Sequence, residues 1–333
     1  MAVGIRGQGD QAGRIISARE NSIKLRFSAG CLFLRHARWT KTYQLKRTSN
    51  ELDTSLVQHC RAGRLVIETG CVYIRYMAFD KNFAINVMYP MANAAYLVMN
   101  TPTPSLALPA GFTLSGLIEA NAAQAAPAMA AADPDHQRLA NLMVSESSIF
   151  GLLAWNNSTH TAIVAIRGTK TIWDWIGDID AVPIPYLPDP SAGLVHMGFQ
   201  LVYEHIRMSV AALLKANCQG AQAIWVTGHS LGGALAVLGA YDILKNVRLG
   251  PVPQLYTFAG PRTAAPDFAN NFKTAIPSCN RVVNFMDVVP QVPLPPAYEH
   301  VGQETLVHGG FRPLDVTYAH HLTTYLAGLQ KLP

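Results

Sequence analysis

The chain has 333 residues, 50% of them hydrophobic and 14% charged, which allows a sizeable buried core and excludes disorder throughout. The net charge of +5 is unevenly distributed, because residues 1–76 carry +8 and residues 77–333 carry −3. No uninterrupted apolar run reaches the roughly 18 residues that a transmembrane helix requires, so we expect no transmembrane segment.

Residues 1–76 hold 13 of the 26 Lys and Arg residues but 5 of the 21 Asp and Glu residues. We predict that they form a basic N-terminal extension, either poorly ordered or part of an extended reading frame upstream of Met77, and that residues 77–333 form the functional domain. The extension lacks interleaved aromatic residues and any recognised module, so we expect no nucleic-acid binding.

The N-terminus does not predict where the protein resides. No apolar stretch of roughly 7 to 15 residues with a small-residue cleavage site follows the first Arg, so we expect no cleavable secretory signal. Both a cytoplasmic location and signal-independent secretion stay open, and the oligomeric state is not predicted. The five cysteines have no metal-ligand spacing and indicate no disulfide framework, and we expect no metal site.

From residue 83 onward, helical patterns alternate with short apolar runs. Helices are predicted at residues 83–99, 120–132, 199–216, 230–245 and 322–329, and strands at residues 149–155, 161–166, 223–227, 254–258 and 281–285. Strands that alternate with helices indicate a largely parallel sheet that is covered by helices on both faces. The fold class is therefore α/β.

The pentapeptide Gly228-His-Ser-Leu-Gly232 lies between a predicted strand and an Ala/Leu-rich helix. This strand–turn–helix context is the one that the G-x-S-x-G pattern requires, since the serine sits at the apex of a tight turn and its flanking positions must be small. The pattern alone would arise by chance in roughly one such chain in ten. With its context, it predicts that Ser230 is a nucleophile at the edge of the sheet.

Five further motifs extend the pattern around Ser230. In chain order the set is residues 165–178 (AIRGTKTIWDWIGD), 195–199 (VHMGF), 228–233 (GHSLGG), 256–262 (YTFAGPR), 282–290 (VVNFMDVVP) and 298–302 (YEHVG). Over residues of about 80 to 330 the chain thereby resembles the class 3, or fungal-type, triacylglycerol lipases of the α/β-hydrolase superfamily. The resemblance implies an α/β-hydrolase fold with a largely parallel central sheet, flanking helices and a lid helix.

The resemblance also implies an oxyanion hole and a lid. The oxyanion donors would be the backbone N–H groups of Thr169 and Leu231, with the Thr169 hydroxyl as a further candidate. The lid would be residues 171–179, where a helical wheel places five apolar side chains on one arc. These side chains are Ile172, Trp173, Trp175, Ile176 and Ile179. The alternative is a surface helix that packs on the core.

A serine nucleophile needs a histidine base and a carboxylate, which follow it in the chain order Ser, acid, His in this superfamily. Asp287 follows the predicted strand at 281–285 and matches the family's Asp-hydrophobic-Val-Pro pattern, so we predict that it is the acid. Two adjacent histidines, His320 and His321, precede the last predicted helix. The spacing of five residues from His320 to Tyr325 is similar to that of bacterial and plant relatives, and favours His320, with His321 as the alternative.

These residues predict a Ser-His-Asp ester hydrolase that acts through an acyl-enzyme without a metal or organic cofactor. The interpretation we favour is a triacylglycerol lipase that meets its ester or lipid substrate at a lipid–water interface. The alternatives are an esterase, phospholipase or feruloyl-type esterase for more polar esters, and a non-catalytic lipid-binding protein on the same fold.

Overall fold

The computed structural model divides the chain into two compact units, Met1–Ala78 and Phe79–Pro333. The structure describes residues 79–100, 106–169, 181–310, 312, 315 and 317–333, together with strand residues between 15 and 75. The predicted lid, residues 171–179, lies outside the described residues.

The described residues of the first unit are β-strands. One antiparallel sheet contains Ile15–Ser17, Ile23–Ser28 and Cys31–His36. Two antiparallel pairs follow, Arg47–Thr48 with Glu51–Leu52 and Arg64–Glu68 with Cys71–Arg75.

A seven-stranded, mostly parallel sheet forms the centre of the second unit. We label the strands of this unit β1 (Thr113–Glu119), β2 (Ile149–Asn156), β3 (Thr161–Ile166), β4 (Pro183–Pro185), β5 (Leu194–His196), β6 (Ala223–His229), β7 (Gln254–Phe258), β8 (Cys279–Asn284) and β9 (Gln303–Val307). The order in the sheet is β9-β8-β7-β6-β3-β2-β1, with β4 and β5 forming a separate antiparallel pair. Strands β3, β6, β7, β8 and β9 run parallel, whereas β2 and β1 are antiparallel to their neighbours.

Helices cover both faces of this sheet. They are α1 (Lys81–Phe83), α2 (Tyr89–Asn100), α3 (Ala122–Ala131), α4 (Pro134–Ser145), α5 (Met197–Asn217), α6 (Leu231–Asp242), α7 (Pro266–Ala275) and α8 (Leu322–Gln330), with π-helical turns at Ala84–Met88 and Ile243–Val247. None of the helices within the described residues has both the length and the hydropathy to cross a membrane.

The core consists of two apolar layers, one on each face of the sheet. In β3, Ala162 and Val164 point into the layer beneath α5 and α6, while Ile163 and Ala165 point into the layer beneath α2 and α8. This alternation follows from the two-residue repeat of a strand, and it explains why β3 is an uninterrupted apolar run. The α/β-hydrolase architecture that the sequence predicted is therefore present.

Most predicted elements agree with the structure to within two residues, but two strands of the sheet were not predicted. Strands β1 and β9 lie at the two edges, and their sequences TLSGLIE and QETLV mix polar with apolar residues because part of each strand is exposed. Helix α4 was also missed, although Asp133 and Pro134 form a common helix start. The Asp133 carboxylate accepts from two backbone N–H groups, and Pro134 occupies the first turn.

The topology brings several loops together at the carboxyl ends of the parallel strands. Because β3, β6 and β8 are parallel, the loops after all three emerge at the same side. These loops carry Thr169, Ser230 and Asp287, respectively. The candidate site lies at these carboxyl ends.

Candidate active site

Ser230 occupies a tight turn between β6 and α6. Its backbone has φ 60° and ψ −130°, an uncommon conformation for a residue with a side chain. The turn requires glycine on both sides. A Cβ on Gly228 would lie 2.2 Å from the carbonyl oxygen of Gly232, and a Cβ on Gly232 would lie 2.1 Å from that of Ile166. The strand–turn–helix geometry expected from the pentapeptide is thus present.

Three side chains form a continuous hydrogen-bond chain at the apex of this turn. The Ser230 hydroxyl oxygen lies 2.8 Å from His320 Nε2, and His320 Nδ1 lies 2.8 Å from Asp287 Oδ2. All three residues are buried, with at most 5% of their surface exposed. A hydroxyl, an imidazole and a buried carboxylate in this order can transfer the hydroxyl proton to the imidazole and stabilise the resulting positive charge.

The structure brings His320, and not His321, to Ser230. His320 ends a short 3₁₀ turn before α8 and is buried. The side chain of His321 is on the exposed side of the same turn, where its Nε2 lies 3.4 Å from the Thr317 hydroxyl. Adjacent residues point in different directions, so only one of these two histidines reaches the serine.

Asp287 has two hydrogen-bond partners besides His320. The backbone N–H of Val289 donates to Asp287 Oδ1 at 3.0 Å, and the Tyr325 hydroxyl donates to Asp287 Oδ2 at 2.6 Å. These contacts hold the carboxylate in position, with Oδ2 facing His320 Nδ1. In the sequence, Tyr325 indicates only the spacing from His320, and this contact could not be predicted from it.

Asn284, at the end of β8, forms hydrogen bonds that hold the segment carrying His320 in place. Its side-chain amide donates to the backbone carbonyl of Ala319 at 2.8 Å, and its side-chain oxygen accepts from the backbone N–H of Gly309 at 2.9 Å. Asn284 is buried, so these bonds satisfy polar groups that water cannot reach. The strand that leads to Asp287 therefore also positions the histidine loop.

A second buried network lies behind the serine. His229 Nε2 lies 2.8 Å from the carbonyl oxygen of His320, and His229 Nδ1 lies 2.8 Å from the Tyr96 hydroxyl. Burial, followed by the nearby His320, holds the pKa of His229 well below its usual range, so the ring is neutral. We therefore assign the ring proton to Nε2, which donates to the His320 carbonyl, while Nδ1 accepts from Tyr96.

Tyr96 extends this network to the loop after β3. Burial raises the pKa of its hydroxyl well above the usual range, and the backbone of Gly168 opposes that shift through a hydrogen bond. Tyr96 lies in α2, 133 residues before His229. No local pattern in the sequence could have revealed this contact, because it depends on how α2 packs against the sheet.

The predicted oxyanion donors are Leu231, which follows Ser230 in the chain, and Thr169, which lies in the loop after β3. Leu231 is buried and is the first residue of α6, so its backbone N–H is at the positive end of the helix. Thr169 is buried in the loop after β3, and its hydroxyl donates to the carboxylate of Glu146. The hydroxyl is thus engaged with Glu146, a contact that no sequence motif predicts.

Among the residues that the structure describes, no group of three or more His, Cys, Asp or Glu side chains is arranged to hold a metal ion.

The loop that carries Asp287 exposes several large apolar side chains, namely Phe285 (59%), Met286 (41%), Val288 (50%) and Leu294 (70%). This loop therefore presents apolar surface to the surroundings of the site.

Comparisons with known proteins show that part of this chain is similar to lipases and phospholipases. A family model for class 3 lipases matches residues 163–296. A lipase from Rhizomucor miehei is 36% identical over 161 residues, which cover 46% of this chain and 43% of that protein. Phospholipase A1-II 6 from Oryza sativa subsp. japonica is 32% identical over 204 residues, which cover 50% of each protein. The matches span about half the length of these two relatives.

The fold is also shared with a solved structure. A Rhizomucor miehei lipase in complex with its propeptide superposes with a TM-score of 0.54 at 24% identity, covering 69% of this chain and 68% of that one. At this identity the likeness concerns the fold. It agrees with the α/β-hydrolase architecture of the second unit.

Proposed function

We propose that the protein is a carboxylic ester hydrolase of the triacylglycerol lipase type, because a family model for class 3 lipases matches residues 163–296. The observation that carries the proposal is the hydrogen-bond chain from Ser230 through His320 to Asp287. We assign the roles of nucleophile, general base and orienting acid to these residues in that order. Residues 77–333 would contain the whole catalytic apparatus.

The mechanism follows from the positions of these groups. Ser230 Oγ attacks the ester carbonyl carbon while His320 Nε2 takes its proton, and Asp287 stabilises the imidazolium. The backbone N–H groups of Leu231 and Thr169 bind the developing oxyanion. His320 then protonates the departing alcohol, and water activated by His320 hydrolyses the acyl-enzyme to release the fatty acid.

A lipid substrate is supported by the apolar surroundings of the site. The loop that carries Asp287 exposes Phe285, Val288 and Leu294, and large exposed apolar side chains favour contact with an apolar phase. The predicted lid adds Trp173 and Trp175, although it lies outside the described residues. We therefore propose action at a lipid–water interface.

A second candidate function is hydrolysis of phospholipids. The similarity to a rice protein named as a phospholipase A1 favours it, and the triad chemistry is the same for both substrate classes. The two candidates differ in the group attached to the glycerol, which the triad does not contact. Only substrate preference separates them.

The catalytic assignment is tested on Ser230. We expect the wild-type protein to hydrolyse p-nitrophenyl butyrate, and Ser230→Ala to reduce kcat by about 10⁴-fold or more. An organophosphonate should label the wild type once, on Ser230, as read by peptide mass spectrometry. Equal hydrolysis by both proteins together with no label on Ser230 would reject the proposal.

Substrate class is tested with emulsions of matched composition. We expect turnover of a triacylglycerol to rise once its concentration exceeds solubility, and to exceed turnover of phosphatidylcholine in mixed micelles. Higher turnover of the phospholipid would favour the second candidate. Highest turnover on soluble short-chain esters, with no rise above the solubility limit, would contradict interfacial action.

A further inference from the structure

The loop that carries Thr169 is tied to a residue that lies far from the triad in sequence and plays no part in the proposed mechanism. Glu146 follows α4, and its side chain is 11% exposed. Its two carboxylate oxygens contact two different residues of this loop. One oxygen accepts from the guanidinium of Arg167, and the other accepts from the hydroxyl of Thr169.

Arg167 is fully buried and rigidly held. Its Nη1 lies 3.2 Å from Glu146 Oε2, and its other guanidinium nitrogens donate to backbone carbonyls of Ile149 and Ser147 at 2.8 Å and 3.0 Å. The guanidinium also packs 4.2 Å over the centre of the Phe150 ring. Since a guanidinium with this many partners has a single orientation, Glu146 is in turn held in place.

The loop between Arg167 and Thr169 touches the nucleophile. A Cβ on Gly168 would lie 3.0 Å from Ser230 Cβ, 2.8 Å from the carbonyl oxygen of His229 and 2.3 Å from the Tyr96 hydroxyl. Arg167 Nη1 also donates to the carbonyl of Gly168 at 2.8 Å. A side chain at position 168 would therefore not fit beside Ser230, and the backbone of this loop packs closely against the serine turn. The position of the Thr169 N–H relative to Ser230 then depends on the contacts that hold the loop.

We propose that Glu146 is a positioning residue for the oxyanion hole: its carboxylate ties the Thr169 hydroxyl to the buried Arg167 and so aims the Thr169 backbone N–H at the substrate oxygen. This inference rests on the proposed function. In this arrangement the Thr169 hydroxyl acts through Glu146 and not on the oxyanion. An oxyanion donor is effective only when it is fixed before charge develops.

The matched pair Thr169→Val and Thr169→Ser tests the tie without disturbing the Arg167–Glu146 ion pair. Valine removes the hydroxyl at nearly constant shape, whereas serine keeps it. On a soluble short-chain ester we expect Thr169→Val to lower kcat about 10-fold with KM within about twofold, and Thr169→Ser to retain most of the activity. A trifluoromethyl ketone, which forms a tetrahedral adduct with the serine, should bind Thr169→Val more weakly by a similar factor.

Glu146→Gln separates this inference from direct action of the hydroxyl. The substitution leaves one acceptor oxygen in place of two, so we expect kcat to fall about 5- to 10-fold. The double variant with Thr169→Val should have a kcat within about twofold of that of the less active single variant. If the hydroxyl instead bound the oxyanion itself, Glu146→Gln would leave kcat unchanged or raise it. That result would overturn the proposal, as would losses that multiply in the double variant.

Glu304→Gln is the control, because Glu304 also pairs with an arginine, Arg281, at 2.5 Å but lies on the edge strand β9. We expect its kcat to equal that of the wild type. A wild type that neither hydrolyses the ester nor takes the phosphonate label on Ser230 would overturn the proposed function and this inference with it. A reactive wild type with an unchanged Thr169→Val would overturn this inference alone.

Discussion

At the scale of single residues, the site depends on side chains that are far apart in sequence. Ser230 and His320 are separated by 90 residues, and His320 and Asp287 by 33, yet both pairs lie 2.8 Å apart. A local pattern predicted Ser230 and Asp287, since each follows a strand in a recognisable motif. The histidine did not follow from such a motif, because His320 and His321 are adjacent and their positions in the chain do not show which one faces the serine.

Separate alanine substitutions distinguish the two histidines. We expect His320→Ala to reduce kcat on a soluble ester by about 10⁴-fold or more, because no other group would take the serine proton. His321→Ala should keep kcat within about twofold, since its ring is on the exposed side of the turn near Thr317. Near-normal turnover by His320→Ala would contradict the assignment.

Tyr325→Phe tests the contact with Asp287, the proposed acid of the triad. Removing the hydroxyl takes away the 2.6 Å hydrogen bond to Asp287 Oδ2 but leaves the ring and the bond from Val289. A hydrogen bond to a charged group contributes about 1.5–3 kcal/mol, so we expect kcat/KM to fall about 10-fold. The measurement is steady-state hydrolysis of p-nitrophenyl butyrate, and kcat/KM equal to that of the wild type would show that this hydroxyl is dispensable.

At the scale of elements, the turn between β6 and α6 is the most constrained segment of the site. All twelve residues of α6 are buried, and its first turn lies against the end of β3. In the sequence, the two glycines around Ser230 indicate this crowding. The packing partners could not be predicted in the same way, because they are backbone atoms of Ile166, the last residue of β3, and of Arg167, which follows it.

A pair of alanine substitutions within α6 tests this crowding. Gly232→Ala would place a Cβ 2.1 Å from the carbonyl oxygen of Ile166, whereas Gly239→Ala would place one at an ordinary 3.5 Å from the Tyr203 ring. We expect the first to lower the free energy of unfolding by about 1–3 kcal/mol or more and to impair turnover, and the second to be tolerated. Urea denaturation and ester turnover measure both effects, and equal behaviour of the two variants would exclude a specific clash.

The predicted lid is tested by its tryptophans. If residues 171–179 form an amphipathic cover, Trp173→Ala combined with Trp175→Ala should lower turnover of emulsified triacylglycerol about 10-fold or more, since each ring buries a large apolar area at the interface. Turnover of a soluble short-chain ester should change by less than about twofold. Equal losses on both substrates would favour the alternative of a helix packed on the core.

At the scale of the whole molecule, several histidines that are buried or half-buried favour the neutral form. Burial is the first cause that lowers the pKa of His196 and of His300, in each case to about 3, and it holds the pKa of His229 well below its usual range. An unfolded chain protonates the same rings near pH 6.5. Between roughly pH 6.5 and pH 3 the folded protein therefore binds fewer protons than the unfolded chain.

Lowering the pH through this window should destabilise the fold. We expect the free energy of unfolding to fall below about pH 6.5, by up to about 1.4 kcal/mol per pH unit for each such histidine. The variant His300→Gln keeps a donor for the Pro290 carbonyl, which His300 Nε2 contacts at 2.7 Å, but cannot titrate. Urea unfolding between pH 7.5 and pH 5 should show a shallower pH dependence for this variant. Parallel curves for variant and wild type would contradict the assignment.

The sequence was sufficient to predict the alternation of strands and helices, the glycine-flanked turn around Ser230 and the resemblance to class 3 lipases, because each of these features depends on residues that are contiguous in the chain. The tertiary structure was needed to place His320 beside Ser230 and to find the contacts of Tyr96 with His229 and of Glu146 with Thr169. Their contacts are made across the sheet edge, where side-chain direction depends on the packing of distant elements. A linear pattern contains the residues of such a site, but not their distances.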